Sequence, residues 1–216
     1  LKCLELMSST FDQTFFIPGN HDLYYRDKRD IQSAEWAKHI PNVQIVNDFF
    51  KADGVSIVPW LVADDYKRIP KISADYMFGH FELPHFYMNA MVQMPDHGQL
   101  QTGHFQNQEL VFTGHFHKRQ KQGHVHYLGN AFPHNYADAG DDARGMMILD
   151  KENNAEPLYI NWDDCPKYRN TTLSKLLDPT SGLIKPKMHL RVTLDIPISF
   201  EEAGLIKETY IRDHGC

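Results

Sequence analysis

The chain has 216 residues, 42% hydrophobic and 23% charged, which suits a globular protein with a sizeable core. Its 22 lysines and arginines against 28 aspartates and glutamates leave a net charge of −6, so no basic excess marks a polyanion partner. No apolar run approaches the roughly 20 residues of a membrane span, and no signal peptide opens the chain.

Cys3, Cys165 and Cys216 are odd in number and scattered, which argues against a disulfide framework or a thiolate zinc site and points to a reducing cytoplasm. The negative charge does not exclude a nuclease, because bound divalent ions supply local positive charge. Thirteen histidines, concentrated between His80 and His134, are the compositional oddity.

Leu1, Leu4, Met7 and Phe11 recur at helical spacing and predict an opening amphipathic helix. Thr14–Ile17 reads as a short strand ending at Pro18-Gly-Asn-His-Asp22. Ile31, Ala34, Ala37 and Ile40 predict a helix capped by Asp30 and stopped by Pro41. Val43–Val46 reads as a strand, and Asp53-Gly54 as a hairpin turn before Val55–Val58. Tyr76–Phe78 is a brief strand running into Gly79-His80, and residues 84–108 read as loops with one short helix.

Leu110–Phe112, Val125–Leu128, Met146–Leu149 and Leu158–Trp162 continue the strands, the last after a turn at Asn153-Asn154. Helices alternating with strands early, and strands alone later, predict a layered α/β sheet sandwich over 1–165. From 166 to 216 the pattern changes to a smaller α+β unit. It comprises a helical piece at Leu173–Leu177, a half-buried strand alternating from Met188 to Ile196, and a helix Phe200–Ile211 capped by Ser199.

Three segments repeat one design, a short apolar strand, a glycine and then a metal-capable side chain. They are Ile17-Pro-Gly-Asn-His-Asp22, Phe78-Gly-His80 and Phe112-Thr-Gly-His-Phe-His117. Strand C-terminal ends converge on one edge of an α/β sheet, where such folds place ligands. Each segment alone has an ordinary structural reading: Gly19-Asn20 as a turn, His80 as a packed histidine, His115 and His117 as solvated strand neighbours. The three in this order are a stronger signal than any one.

Together, Gly19-Asn-His-Asp22, Gly79-His80 and Gly114-His-Phe-His117 resemble the later half of the calcineurin-like metallophosphoesterase signature. That signature begins with Asp-x-His and Gly-Asp-x-x-Asp. Within the family, the stretch from Tyr127-Leu-Gly-Asn130 through Arg144-Gly145 to Ile148-Leu-Asp150 resembles SbcD-type repair nuclease subunits. Gly79-His-Phe-Glu82 and Asp96-His-Gly98 look most like the recombination nuclease subunit of tailed bacteriophages.

The resemblance implies an α-β-β-α metallophosphoesterase sandwich over 1–165, followed by the start of a DNA-contacting capping domain over 166–216. It implies that Asn20, His80 and His115 bind one divalent ion and His117 a second. His21, held by Asp22, would orient the scissile phosphate and assist the leaving oxygen. Nitrogen and oxygen ligands without thiolate suit Mn2+, with Zn2+ or Fe2+ as alternatives. The implied partners are DNA, an SbcC-type coiled-coil ATPase and a second copy of the chain in a homodimer, with no membrane; the implied compartment is the cytoplasm.

The chain also departs from the signature. It contains no Asp-x-His, and its sole Gly-Asp, Gly140-Asp141, follows Gly114–His117 and so is out of order. The bridging aspartate and two further ligands are missing, which is the pattern of a chain shortened ahead of Leu1. The expectation is weak metal binding and no activity for the chain as it stands. Two alternatives follow: a phosphoprotein or small-molecule phosphoesterase, and a non-catalytic binding or scaffold module with a degenerate metal site.

Other residues carry less. His124 and His126, beside Lys118, Arg119 and Lys121, read as a solvated face, with a phosphate-contacting patch as the alternative. His104 reads as a loop residue, and His97 as an ordinary surface histidine, with approach to the site as the lesser alternative. Phe81, Phe86, Tyr87 and Phe105 read as packing residues, with base stacking as the alternative.

Overall fold

The computed structural model describes residues 2–89, 92–153, 156–185 and 187–214. The chain forms two compact units, one built from residues up to Met88 and from Val92 to Gly129, the other from Asn130 onward. The boundary expected near residue 165 falls inside the second unit.

The first unit opens with helix α1 (Lys2–Thr10) and strand β1 (Thr14–Phe16), which pairs in parallel with β2 (Val43–Ile45). Between them runs a 3-10 helix, Ser33–His39, where an Asp30-capped helix was expected. Its N-cap is Gln32, with no side-chain cap bond, because the start is fixed from outside: Ser33 N–H donates to Asp22 O at 2.8 Å.

Strands β3 (Phe50–Ala52) and β4 (Val55–Val58) form the expected hairpin, with Asp53 and Gly54 both at positive φ. That is the geometry of a tight type I′ turn. Strands β5 (Tyr76–His80), β6 (Leu110–Gly114), β7 (Gln120–Gln122) and β8 (Val125–Tyr127) complete a six-stranded sheet in the order β3-β4-β5-β6-β8-β7. β4, β5, β6 and β8 are parallel, and the antiparallel β3 and β7 close the edges.

Ser56, Ile57, Val58, Met77, Val111, Phe112 and Thr113 are buried, so the central strands are covered on both sides. That is why they read as unbroken apolar runs rather than alternating ones. Further 3-10 turns at Asp65–Lys71 and Thr102–Phe105 flank the sheet. The mixed α/β sandwich class is as expected.

The core of this unit is one cluster that includes Val58, Met77, Phe81, Leu83, Phe86, Phe105, Val111, Phe116 and Tyr127. Phe81, Phe86 and Phe105 are the packing residues the sequence suggested. Tyr87 is not: it is exposed, with the Lys118 ammonium 5.0 Å from its ring centre. His126 is also placed differently. It is buried in β8 and tilted on Phe112, because its strand lies between β6 and β7 and not at a solvated edge. His104 belongs to the 3-10 helix at its N3 position and accepts from the Gln101 N–H through Nδ1 at 2.9 Å, so it is an element residue and not a loop one.

The second unit holds an antiparallel pair, β9 (Gly145–Ile148) with β10 (Leu158–Asn161). It also holds a parallel pair, β11 (Lys167–Thr172) with β12 (Met188–Thr193), joined through helix α2 (Leu173–Leu177). The turn expected at Asn153-Asn154 lies partly outside the described residues. Ser199 caps helix α3 (Phe200–His214) as expected, its hydroxyl accepting from Glu202 N–H while Glu202 accepts from Ser199 N–H. Arg144, fully buried, reaches Asp138 at 3.2 Å and Asp141 at 3.1 Å and ties down the segment ahead of β9. Among the described residues no helix is long and apolar enough to cross a membrane.

Candidate metal centre

β4, β5 and β6 are parallel and in register, so their C-terminal ends lie side by side, with His80 paired to Gly114. Trp60 follows β4, His80 ends β5 and His115 follows β6. The segment after β1 joins them: the Trp60 N–H donates to Pro18 O at 2.9 Å, which carries Gly19 and Asn20 to the same edge.

There the Asn20 amide oxygen lies 3.1 Å from His80 Nε2 and 3.3 Å from His115 Nδ1. The two imidazoles meet edge to face at 5.2 Å, and Trp60 packs against both, at 5.8 and 5.0 Å.

The glycines of the motifs make room for this cluster. A Cβ on Gly19 would stand 2.8 Å from His80 Cε1, and one on Gly114 would stand 3.1 Å from His80 Nδ1. A Cβ on Gly79 would enter the Phe81 ring. His115 itself holds φ at +87°, a conformation that L-residues other than Gly avoid. Strain of this kind gathers at ligand-holding positions.

Glu82 is the site residue that single-residue reading passed over. Its carboxylate lies 3.0 Å from His115 Nε2. The backbone on either side fixes it: Phe81 N–H donates to Thr113 Oγ1 at 2.9 Å, and Tyr127 Oη donates to Phe81 O at 2.9 Å while accepting from Leu83 N–H at 3.1 Å. Phe81 and Leu83 enter the core, and the alternation of an extended segment turns Glu82 the other way. The signal in the sequence was the alternation Phe81-Glu82-Leu83 directly after a candidate ligand.

Burial, with His115 as neighbour, pushes the His80 imidazole down to about 4, against some support from Asp22. Burial also lowers His115; Glu82 opposes that shift, and His21 and His117 add to it. Both rings are therefore neutral at pH 7, and each has one N–H to give. The His115 ring lies between two acceptors, Glu82 on Nε2 and the Asn20 oxygen on Nδ1. Donation to the carboxylate leaves the Nδ1 lone pair facing an amide oxygen, an excess of acceptors that a cation relieves.

The spacing suits this too. Metal–ligand bonds of about 2.1 Å set neighbouring donors about 3.0–3.4 Å apart. The spacings from the Asn20 oxygen to His80 Nε2 and to His115 Nδ1 both lie in that range. Among the described residues no group of three or more His, Cys, Asp or Glu side chains could hold a metal ion, so the amide is needed to complete even this partial set.

The remaining candidates are placed differently. His117 lies within electrostatic reach of His115, and its backbone N–H donates to Met88 O at 3.3 Å. His21 is exposed, within electrostatic reach of His80 and His115. Asp22 does not hold His21. Its carboxylate accepts from the Gly19 N–H at 2.8 Å and the Ser33 hydroxyl at 3.0 Å, because the turn at 19–22 folds the side chain back onto its own backbone. His97 comes to the site's border, lining a cavity that also touches His80 and Glu82.

No known family profile matches the chain. It is 30% identical over 206 residues to exonuclease subunit 1 of Enterobacteria phage T4, an alignment covering 88% of this chain and 56% of that protein. The chain thus spans little more than half the length of that relative. Over most of its own length it is similar to a phage exonuclease subunit.

Proposed function

We propose that the chain is part of a metal-dependent DNA nuclease that hydrolyses phosphodiester bonds as a subunit of a recombination and repair complex. The observation that carries this reading is the convergence of Asn20, His80 and His115 at the ends of adjoining parallel strands, in a chain similar to an exonuclease subunit. The calcineurin-like metallophosphoesterase chemistry belongs to this reading. Asn20, His80 and His115 would hold one divalent ion, with His117 serving a second; Mn2+ suits the donors first, Zn2+ or Fe2+ next.

Two such ions, when bound, supply an activated water and neutralise charge building on the phosphate oxygens. Glu82 keeps the His115 proton on Nε2 and so points the Nδ1 lone pair inward. Trp60 packs against both rings and steadies their orientation. His21, exposed at the rim, faces an incoming phosphate and can give a proton to the departing oxygen, while Asp22 holds the turn that presents it. Residues 166–216 would begin the unit that contacts DNA. The relative's name, a subunit, supports assembly with other chains; an SbcC-type coiled-coil ATPase and a second copy of this chain are the proposed partners, in the cytoplasm of the host cell.

A non-catalytic scaffold is the second reading, favoured by the partial ligand set. The deciding experiment compares manganese-dependent degradation of linear DNA by the 216-residue chain and by the same chain with a segment carrying Asp-x-His and Gly-Asp-x-x-Asp placed ahead of it. The chain alone is expected to bind Mn2+ weakly and leave DNA intact, and the extended protein to degrade it. His115→Ala is expected to cut the extended protein's rate at least a hundredfold. Cleavage indifferent to His115→Ala, or none from the extended protein, removes the nuclease assignment.

A further inference from the structure

Beside the histidine cluster the first unit contains a cavity of about 100 Å3 whose lining includes His80 and Glu82. Roughly 10–15 Å3 holds one water, so this space takes a flat ring system but not a base pair. Its walls include Trp60, Tyr66, Met94 and Leu100, and its rim carries the exposed His97 and Gln99.

The walls are fixed. Trp60 is bonded through its backbone to Pro18 and, through its carbonyl, to Arg29, whose guanidinium pairs with Asp65 at 2.6 Å. Tyr66 packs against the core. Ala63, also at the wall, holds φ at +47°, a strained conformation of the kind found at ligand clamps.

We infer that this cavity is a nucleobase subsite, taking one unpaired base of the strand whose phosphate lies at the histidines. The inference deepens the nuclease reading and rests on it. Aromatic and apolar faces inside, with an amide and an imidazole at the rim, match a base, whose faces stack and whose edges hydrogen-bond. Stacking on an aromatic side chain tolerates any sequence, because every base has a π-face. Glu82 is part of the lining, and its carboxylate disfavours a phosphate inside the cavity while leaving a neutral base unopposed. A base enters only after leaving its stack, so the site favours a frayed end or a single strand.

The three tryptophans are Trp36, Trp60 and Trp162, so Trp36→Phe with Trp162→Phe leaves Trp60 as the sole indole. In that protein, without metal, thymidine and deoxyadenosine 5′-monophosphates are expected to quench Trp60 saturably, and 2-deoxyribose 5-phosphate is not. Filling the cavity with Leu100→Phe, or trimming the exposed rim with Gln99→Ala, should weaken quenching, the former at least tenfold. Equal quenching by the sugar phosphate, or no quenching by either nucleotide in folded protein, overturns the subsite. In the extended protein, a linear DNA with abasic terminal nucleotides should be degraded at least fivefold more slowly than the natural end. Equal rates overturn the subsite and leave the nuclease reading standing, whereas no cleavage of either removes that reading and leaves the fluorescence result to decide the cavity.

Discussion

Gly19 and Gly114 lie on either side of one imidazole, and neither is needed for a left-handed backbone. An alanine at 19 therefore folds without backbone strain and collides only with His80, whose Cε1 would stand 2.8 Å from the new Cβ. Gly19→Ala is expected to change stability by no more than about 1 kcal/mol while moving the ring off the Asn20 oxygen. Nitrogen chemical shifts of His80, and at least a tenfold loss in Mn2+ affinity, check it. His115 presents the opposite case, a side chain held where the backbone prefers none. A left-handed L-residue costs about 1–2 kcal/mol, so His115→Gly should unfold at higher urea than His115→Ala, reversing the usual order of those two residues. If alanine is the more stable, the +87° torsion is not a strained one.

At the scale of elements, the segment after β5 decides where Glu82 lies. Tyr127 on β8 satisfies both Phe81 O and Leu83 N, and burial holds its phenol protonated far above the ordinary range. Tyr127→Phe removes one oxygen and leaves two buried backbone groups unpaired, which costs about 1–3 kcal/mol. Urea unfolding measures that loss, and the His115 tautomer, read from ring nitrogen shifts, should become mixed as Glu82 loosens.

The elements were unevenly legible. β4, β5 and β6 were visible because a strand covered on both sides is an apolar run, and the hairpin because Asp53-Gly54 is a turn dipeptide. β11, Lys-Tyr-Arg-Asn-Thr-Thr, was invisible: only Thr171 in it is buried, and its pairing with β12 rests on backbone bonds that leave no pattern in the side chains. The helix at 33–39 was seen with the wrong cap, because its first turn is fixed by a bond from Ser33 to Asp22, distant in sequence. In the site, Asn20, His80 and His115 were readable from their glycines. Glu82 left only the alternation Phe81-Glu82-Leu83 as a trace and Trp60 none, since a carboxylate or an indole beside a strand has many commoner uses, and the register of three strands brings them to the rings.

For the molecule as a whole, buried histidines set the acid limit. Burial, with Lys121 and His124 nearby, pushes His126 down to about 4, against about 6.5 in the unfolded chain. The unfolded state takes up the proton first, so stability is full above pH 6.5 and falls as pH drops toward 4. One such group contributes up to about 3 kcal/mol of loss across that window. His126→Phe, which keeps the ring against Phe112, should flatten the decline between pH 6.5 and 4 in urea titrations; an unchanged slope would show that His126 titrates normally. The net charge of −6 also leaves DNA attraction to any bound cations and to local geometry, so binding to duplex in the absence of metal should be feeble at physiological salt.

The bonds that draw the cluster together join residues 60 and 95 positions apart, Asn20 with His80 and with His115. No local segment can assemble such a centre by itself. It closes only when the end of β1 has met the finished edge of the sheet, and loop closure over such separations is slow compared with forming a hairpin. The histidine rings therefore act as a clock for folding: in a refolding experiment their resonances should reach native positions with the slowest phase, after the β3–β4 hairpin amides are already protected from exchange.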